Sequence, residues 1–265
     1  FDTHEVNLLQ YYYLKRNENM FNCCETGSAN KSLSIDIFNK IKIPVPPLEV
    51  QNRIVEQLDN IYEIEIESSK KVVDSLKMSI ETIMKNTMYR NDLQEYKIKD
   101  VCKVDDKQIT KHKTSYGSEN ETPYRFHTGG KTKKLYCDHP DINYTTIIQN
   151  RTNGSGKCNL FLDKNCSVAG QTLIYHSLNS EEETKYIYYY LLSNINILEN
   201  GYLGANHKNI STNYINNIII HIPPIEVQKQ ILEKIEPKES LIQELEKNIE
   251  RAEQEAKDIM NVLFN

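Results

Sequence analysis

Two stretches of the chain carry apolar residues at alternating steps of three and four. The later one runs Ile242, Leu245, Ile249, Ala252, Ala256, Ile259 and Leu263, the spacing of a single stripe on a helix that pairs with another helix. The earlier one, Ile54, Leu58, Ile61, Val73, Leu76, Ile80 and Ile83, is less regular, with Glu65 and Ser69 interrupting it. Each stretch predicts a helix of about 40 residues, roughly 60 Å long. A stripe on so long a rod cannot be covered by a small domain, so the two helices are expected to pair with each other as a coiled coil. Pro237 lies inside the second stretch and is expected to kink that helix or restart it near Glu236.

Between the rods the pattern changes to short alternating runs. Tyr96–Val104 reads as a strand, as do Thr145–Asn150, Cys158–Leu162, Cys166–Gly170 and Thr172–Tyr175. Tyr186–Leu192 reads as a helix. The fold class expected is α+β: a strand-rich mixed domain plus two long helices.

The chain also repeats itself. Pro46-Pro47-Leu48-Glu49-Val50-Gln51 returns as Pro223-Pro224-Ile225-Glu226-Val227-Gln228, and at the same offset Tyr11–Leu14 falls on Tyr188–Leu191. Gly27 and Gly204, Lys31 and Lys208, and Ser34 and Ser211 also pair; about 18 of roughly 48 positions are identical without a gap. The repeated unit is an apolar tyrosine stretch, a polar glycine loop, a strand ended by two prolines, and a long helix. Proline suits a first helical turn, whose N–H groups have no partner in any case, and Glu49 or Glu226 complements the positive helix end.

Composition narrows the picture. The chain has 265 residues with 32 Lys/Arg against 37 Asp/Glu, a formal net charge of -5. No apolar run of about 18 residues is present, so no membrane span is expected. The six cysteines show no C-x-x-C pair; free thiols in a reducing cytoplasm are expected. The nearest approach to a zinc set, Cys137, His139, Cys158 and Cys166, lacks the usual spacing, and neither metal nor cofactor is expected. The charge is uneven: residues 96–180 hold about 13 Lys/Arg against 8 Asp/Glu, and residues 225–265 about 6 against 10. A polyanion would meet the middle of the chain.

Within that middle, Arg151-Thr152-Asn153-Gly154-Ser155-Gly156-Lys157 is the best contact loop. Its glycines allow close backbone approach, Arg151 and Lys157 bring charge, and Thr152, Asn153 and Ser155 can bond phosphates or base edges. A plain glycine hairpin is the alternative. Gln108, Lys111, Lys113, Arg125, Lys131, Lys133 and Lys134 form a second basic cluster, and Asn206, His207 and Lys208 a third candidate group. Catalytic templates fail. Gly130-Lys131-Thr132 lacks the first glycine of a phosphate-binding loop, Pro140-Asp141 and Glu183-Thr184-Lys185 lie too far apart for a nuclease cluster, and no methyltransferase motif or Gly-x-Ser-x-Gly is present.

Strand, Pro-Pro-Leu/Ile-Glu-Val-Gln and long helix, repeated around an α+β domain, resembles the specificity subunit of type I restriction-modification systems. The resemblance rests on Ile43–Gln51 and Ile220–Gln228, with support from Tyr96–Val104 and Gly201–Ser211, and spans nearly the whole chain. It implies the tail of a first target recognition domain at 1–45, a first long helix at 46–92, a complete recognition domain at 93–222 and a second long helix at 223–265, with the two helices pairing as an antiparallel coiled coil. It further implies a non-enzymatic subunit that reads part of a bipartite site in double-stranded DNA. Such a subunit docks modification (methyltransferase) subunits, with the restriction subunit as a further partner. Phe1 reads as an internal start. A recognition module of a single-chain restriction and methylation enzyme, and a coiled-coil scaffold without DNA affinity, are the competing readings.

Overall fold

The computed structural model describes residues 11–12, 14, 25–26, 32–40, 46–105, 123–129, 135–170, 172–205 and 207–264. The chain divides into two compact units, Phe1–Met78 with Lys238–Asn265, and Ser79–Pro237.

In the first unit a two-residue antiparallel pair, β1 (Glu25–Thr26) with β2 (Ser32–Leu33), precedes the first long helix. That helix starts after Pro47 and runs as Leu48–Asp59, a π-helical segment Asn60–Glu67, and Ser68–Thr87. The π segment explains the irregular stripe. The buried positions step from Ile54 to Leu58 to Ile61 and then by five to Ile66, while Glu65 and Ile64 face outward. One extra residue has entered the apolar repeat, and the wider i→i+5 turn absorbs it. Steps of seven then carry the stripe to Val73 and Ile80.

The stripe is covered by the second long helix, Ile225–Phe264. Tyr12, Ile54, Val55, Leu58, Ile61 and Ile66 form one cluster with Ala252, Ala256 and Met260, and Ile249 and Ile259 pack against it. Burial of each large side chain in such a seam contributes about 1.5–3 kcal/mol. Lys70 lies 3.8 Å from Glu253 and Lys77 lies 2.8 Å from Glu246. As one number rises the other falls, so the helices run antiparallel. Tyr12 stacks on Tyr62 at 5.2 Å, and its hydroxyl donates to Asp59.

Pro237 does not restart the second helix, which is unbroken from Ile225 to Phe264. Proline removes the bond that would reach the carbonyl of Glu233, but both residues are exposed. Water can satisfy that carbonyl.

The second unit holds the sheets. A four-stranded antiparallel sheet has the order β4 (Cys102–Asp105), β11 (Thr172–Ser177), β7 (Thr146–Asn150), β9 (Leu160–Asp163). Its central strand β7 is buried at every residue, with Ile148 opposite Ile174 and Ile147 opposite Leu162. A three-stranded sheet places β5 (Tyr124–His127) between β6 (Leu135–Cys137) and a parallel partner, β10 (Ser167–Val168). β3 (Gln94–Lys97) pairs with β13 (Ile219–Ile222), the strand that ends at the second proline pair.

Tyr96–Val104 is not one strand. Residues Ile98–Val101 form a helical turn between β3 and β4. Ile98 and Val101 are both buried. Alternation in a strand would send residues three apart to opposite faces, whereas a helical turn puts them on one side.

Against the sheets lies a tyrosine helix, Glu181–Ser193, capped by Ser180, whose side chain accepts from the Glu183 N–H at 3.0 Å. Tyr186, Tyr189 and Tyr190 are buried, and two of them are tied to β13. Tyr186 donates to the His221 carbonyl at 3.0 Å, and the Tyr190 hydroxyl lies 3.1 Å from His221 Nδ1. Among the described residues no helix is long and apolar enough to cross a membrane.

Candidate nucleic-acid interface

Strand pairing brings two of the three candidate groups together. β8 (Thr152–Asn153) pairs antiparallel with β12 (Lys208–Asn209), placing Lys208 opposite Asn153 and Asn209 opposite Thr152. The Ile210 N–H extends the ladder by donating to the Arg151 carbonyl at 3.1 Å. Residues more than 50 apart in sequence thus share one edge. Lys111, Lys131, Lys133 and Asn206 lie outside the described residues.

The loop after β8 is a tight turn held by its own side chains. Asn153 Oδ1 accepts from the Ser155 N–H at 3.0 Å and from Ser155 Oγ at 2.9 Å, and Asn153 Nδ2 donates to the Lys157 carbonyl at 2.9 Å. Ser155 Oγ accepts from the Lys157 N–H at 3.3 Å. Asn153 and Ser155, read from sequence as contact residues, therefore first shape the turn. Gly156 sits at φ +75°, and a Cβ there would meet the Lys208 side chain at 2.9 Å. The turn and the Lys208 side chain pack directly. Gly204, at φ +134°, would bring a Cβ within 2.5 Å of the His207 carbonyl oxygen. Only glycine lets that second loop close.

The charged groups differ in what holds them. Lys157 is exposed, and its Nζ lies 3.2 Å from Glu199 Oε2, a partly buried carboxylate whose other oxygen accepts from the Cys158 N–H at 3.2 Å. Arg151 and Lys208 are half-buried, and His207 is exposed.

Beneath the loop lies a buried polar network that the sequence did not single out. Asn150 Nδ2 donates to the Thr152 carbonyl at 3.4 Å and the Lys157 carbonyl at 3.2 Å, bridging the two ends of the loop. Its Oδ1 accepts from the Asn159 N–H at 2.6 Å and from the Tyr202 hydroxyl at 3.0 Å. Gln149 Nε2 donates to the Tyr202 hydroxyl at 3.3 Å, and Gln149 Oε1 accepts from Tyr175 at 3.1 Å. Burial pushes the pKa values of the Tyr175 and Tyr202 hydroxyls well above the ordinary tyrosine value, so both remain neutral donors. The signal in the sequence was a polar pair, Gln149-Asn150, ending an apolar strand.

Other sequence candidates fall elsewhere. Cys137, His139, Cys158 and Cys166 do not converge as a ligand set; the Cys137 thiol instead donates to the His139 carbonyl at 3.2 Å. Glu183 accepts from Ser177 Oγ at 2.6 Å and Asn179 Nδ2 at 2.8 Å, a structural role at the start of the tyrosine helix.

Residues 2–77 and 90–253 match the family model described as type I restriction modification DNA specificity domain. Among solved structures the chain is similar to the type I restriction-modification system S subunit from M. genitalium, with 14% identity and a TM-score of 0.61, covering 97% of this chain and 72% of that one. The HsdS subunit from Thermoanaerobacter tengcongensis is 17% identical with a TM-score of 0.45, covering 97% of this chain and 69% of that one.

Proposed function

Because the chain belongs to the type I restriction modification DNA specificity domain family, whose role is DNA recognition without catalysis, we propose that it reads its target through the edge formed by residues 151–157 and 207–208. It serves as the recognition subunit of a type I restriction-modification system. Residues 93–222 act as a target recognition domain for part of a bipartite site in double-stranded DNA. Residues 1–45 are the tail of a first such domain. The helices at 46–92 and 223–265 form a stiff spacer that docks the modification subunits, and through them the restriction subunit, which carry out the chemistry. Lys111, Lys131, Lys133 and Asn206 add further contacts.

What supports this reading most is the β8–β12 pairing, which sets Thr152 and Asn153 beside Asn209 and Lys208, with the Arg151 carbonyl bonded to Ile210 and the turn before Lys157 packed on Lys208. Arginine, lysine and hydroxyl side chains there can bond phosphates and base edges, the former fixing position and the latter sequence. The buried Asn150 network holds the loop from behind, as a rigid reading head requires. Arg151 and Lys208 supply the electrostatic contact together with Lys157, whose charge is shared with Glu199.

The test is selection of a bound motif from a random duplex library by the subunit assembled with its modification partners. Replacing residues 151–157 by a Gly/Ser loop of equal length should erase or alter one part of the selected motif. An unchanged motif would rule this edge out as the reader.

A further inference from the structure

His127, Asp163 and Cys166 come from parts of the sequence with no metal-binding spacing, yet the fold gathers them. His127 ends β5, Asp163 ends β9, and Cys166 precedes β10 and bridges to Ile142. One nitrogen, one carboxylate oxygen and one sulfur from these residues all lie within 4.8 Å of one another. His127 Nε2 is 2.7 Å from Asp163 Oδ2. His127 and Cys166 are buried, and Asp163 is half-buried. Ile142, Ile148, Val168 and Ile174 surround the cysteine. A thiol in that setting can be mere packing, but packing does not require an imidazole and a carboxylate to turn toward it.

We propose that His127, Asp163 and Cys166 bind a divalent transition ion of the zinc class, with three protein ligands and a fourth position open. The donor set selects the ion: sulfur and imidazole favour zinc over magnesium or calcium, which take oxygen. The fit is close. Tetrahedral bonds of about 2.0–2.3 Å set ligand atoms roughly 3.4 Å apart. The His127–Asp163 pair must therefore open by less than an ångström, and the widest separation must close by little more than one.

Coordination replaces the hydrogen bond between His127 and Asp163. The imidazole then offers its Nε2 lone pair, the proton that bridged to Asp163 leaving Nε2 while Nδ1 takes one up through solvent. The thiol gives its proton to solvent as the sulfur–metal bond forms. The thiol becomes a thiolate on coordination, so each ion taken up releases one proton. A bound ion would join the three-stranded sheet, through β5, to the four-stranded sheet, through β9. This inference does not depend on the DNA-reading edge.

The experiment is titration of the metal-stripped full chain with cobalt(II), a coloured stand-in for zinc. One equivalent should bind with thiolate-to-cobalt charge-transfer absorption, and zinc should displace it. Cys166→Ser should remove that absorption, whereas a Cys23→Ser/Cys24→Ser double variant should keep it. Asp163→Asn keeps a hydrogen-bonding group beside His127 but loses the anionic ligand, and should weaken cobalt binding at least about tenfold. Should Cys166→Ser fail to fold, Asp163→Asn decides. No uptake by the unaltered chain would overturn the proposal, as would uptake that survives Cys166→Ser or Asp163→Asn unchanged, or uptake that depends on Cys23 and Cys24.

Discussion

Gln51 and Gln228 occupy the same position in the two repeats and make the same bond. Each donates through Nε2 to the carbonyl of the first proline, five residues back, at 2.6 Å and 2.9 Å. The glutamine ties the end of the preceding segment to the first turn of the helix, which gives the repeated Pro-Pro-x-Glu-Val-Gln string a physical meaning. Asn150 does comparable work under the 151–157 loop. Asn150→Ala takes the Asn150 side-chain bond from the Thr152 carbonyl and the Asn159 N–H, each at a cost of about 1–3 kcal/mol where water cannot reach, and leaves the Lys157 carbonyl with the Asn153 bond alone. Thermal unfolding should show the loss of stability, and DNA affinity should fall with it. Full affinity in a folded Asn150→Ala protein would separate the network from the site. Glu239 bears on the coiled coil. Burial, then the charge of Glu246, raise its carboxyl pKa, with Lys77 opposing. Below the ordinary carboxylate value the group is protonated in both states and neutral to folding; above its raised value the buried charge disfavours the folded state. Glu239→Gln should raise the melting midpoint at neutral pH, with the gain fading as pH falls through the carboxylate range. A gain that is the same in acid would assign the effect to packing.

At the scale of elements, the π segment decides which face of the first helix is apolar. A continuous heptad would bring Glu65 inward; the five-residue step brings Ile66 inward instead and leaves Ile64 64% exposed. Ile66→Ala should therefore cost about 2–5 kcal/mol, and Ile64→Ala less than about 0.5 kcal/mol, both read by chemical denaturation. Equal costs would contradict the π register. The same element shows where the sequence was legible. Both long helices, their pairing with each other and the proline-ended strand at Ile219–Ile222 follow from spacing and repetition, because a seam that must be buried along a rod leaves few alternatives, while their antiparallel direction came from the family resemblance. The broken stripe between Ile61 and Val73 was visible too, but its cause was not, since one extra residue can be absorbed by a loop, a kink or a π turn. Tyr96–Val104 misled because its pattern fits both a strand and a strand broken by one helical turn. Only the burial of Ile98 and Val101 on one side distinguishes them. The edge joining residues 151–157 to 207–208 was named in pieces. Its assembly depends on long-range strand pairing, which local pattern does not encode.

At the scale of the whole molecule, chemistry and recognition are separate tasks, and this chain carries recognition. Its acidic excess lies on the second long helix and its basic excess in the region between the helices, so a net charge of -5 is compatible with a partner as anionic as DNA. Phosphate contacts release counterions and make affinity fall with salt, by a slope of about 0.9 per contact. The most direct test is the affinity of the assembled complex for its motif duplex across a salt series, with and without Arg151→Ala/Lys208→Ala. The double variant should bind at least about tenfold more weakly at low salt, with a salt slope shallower by up to about 1.8, while remaining folded by circular dichroism. The same affinity and the same slope in both proteins would show that DNA does not meet this edge.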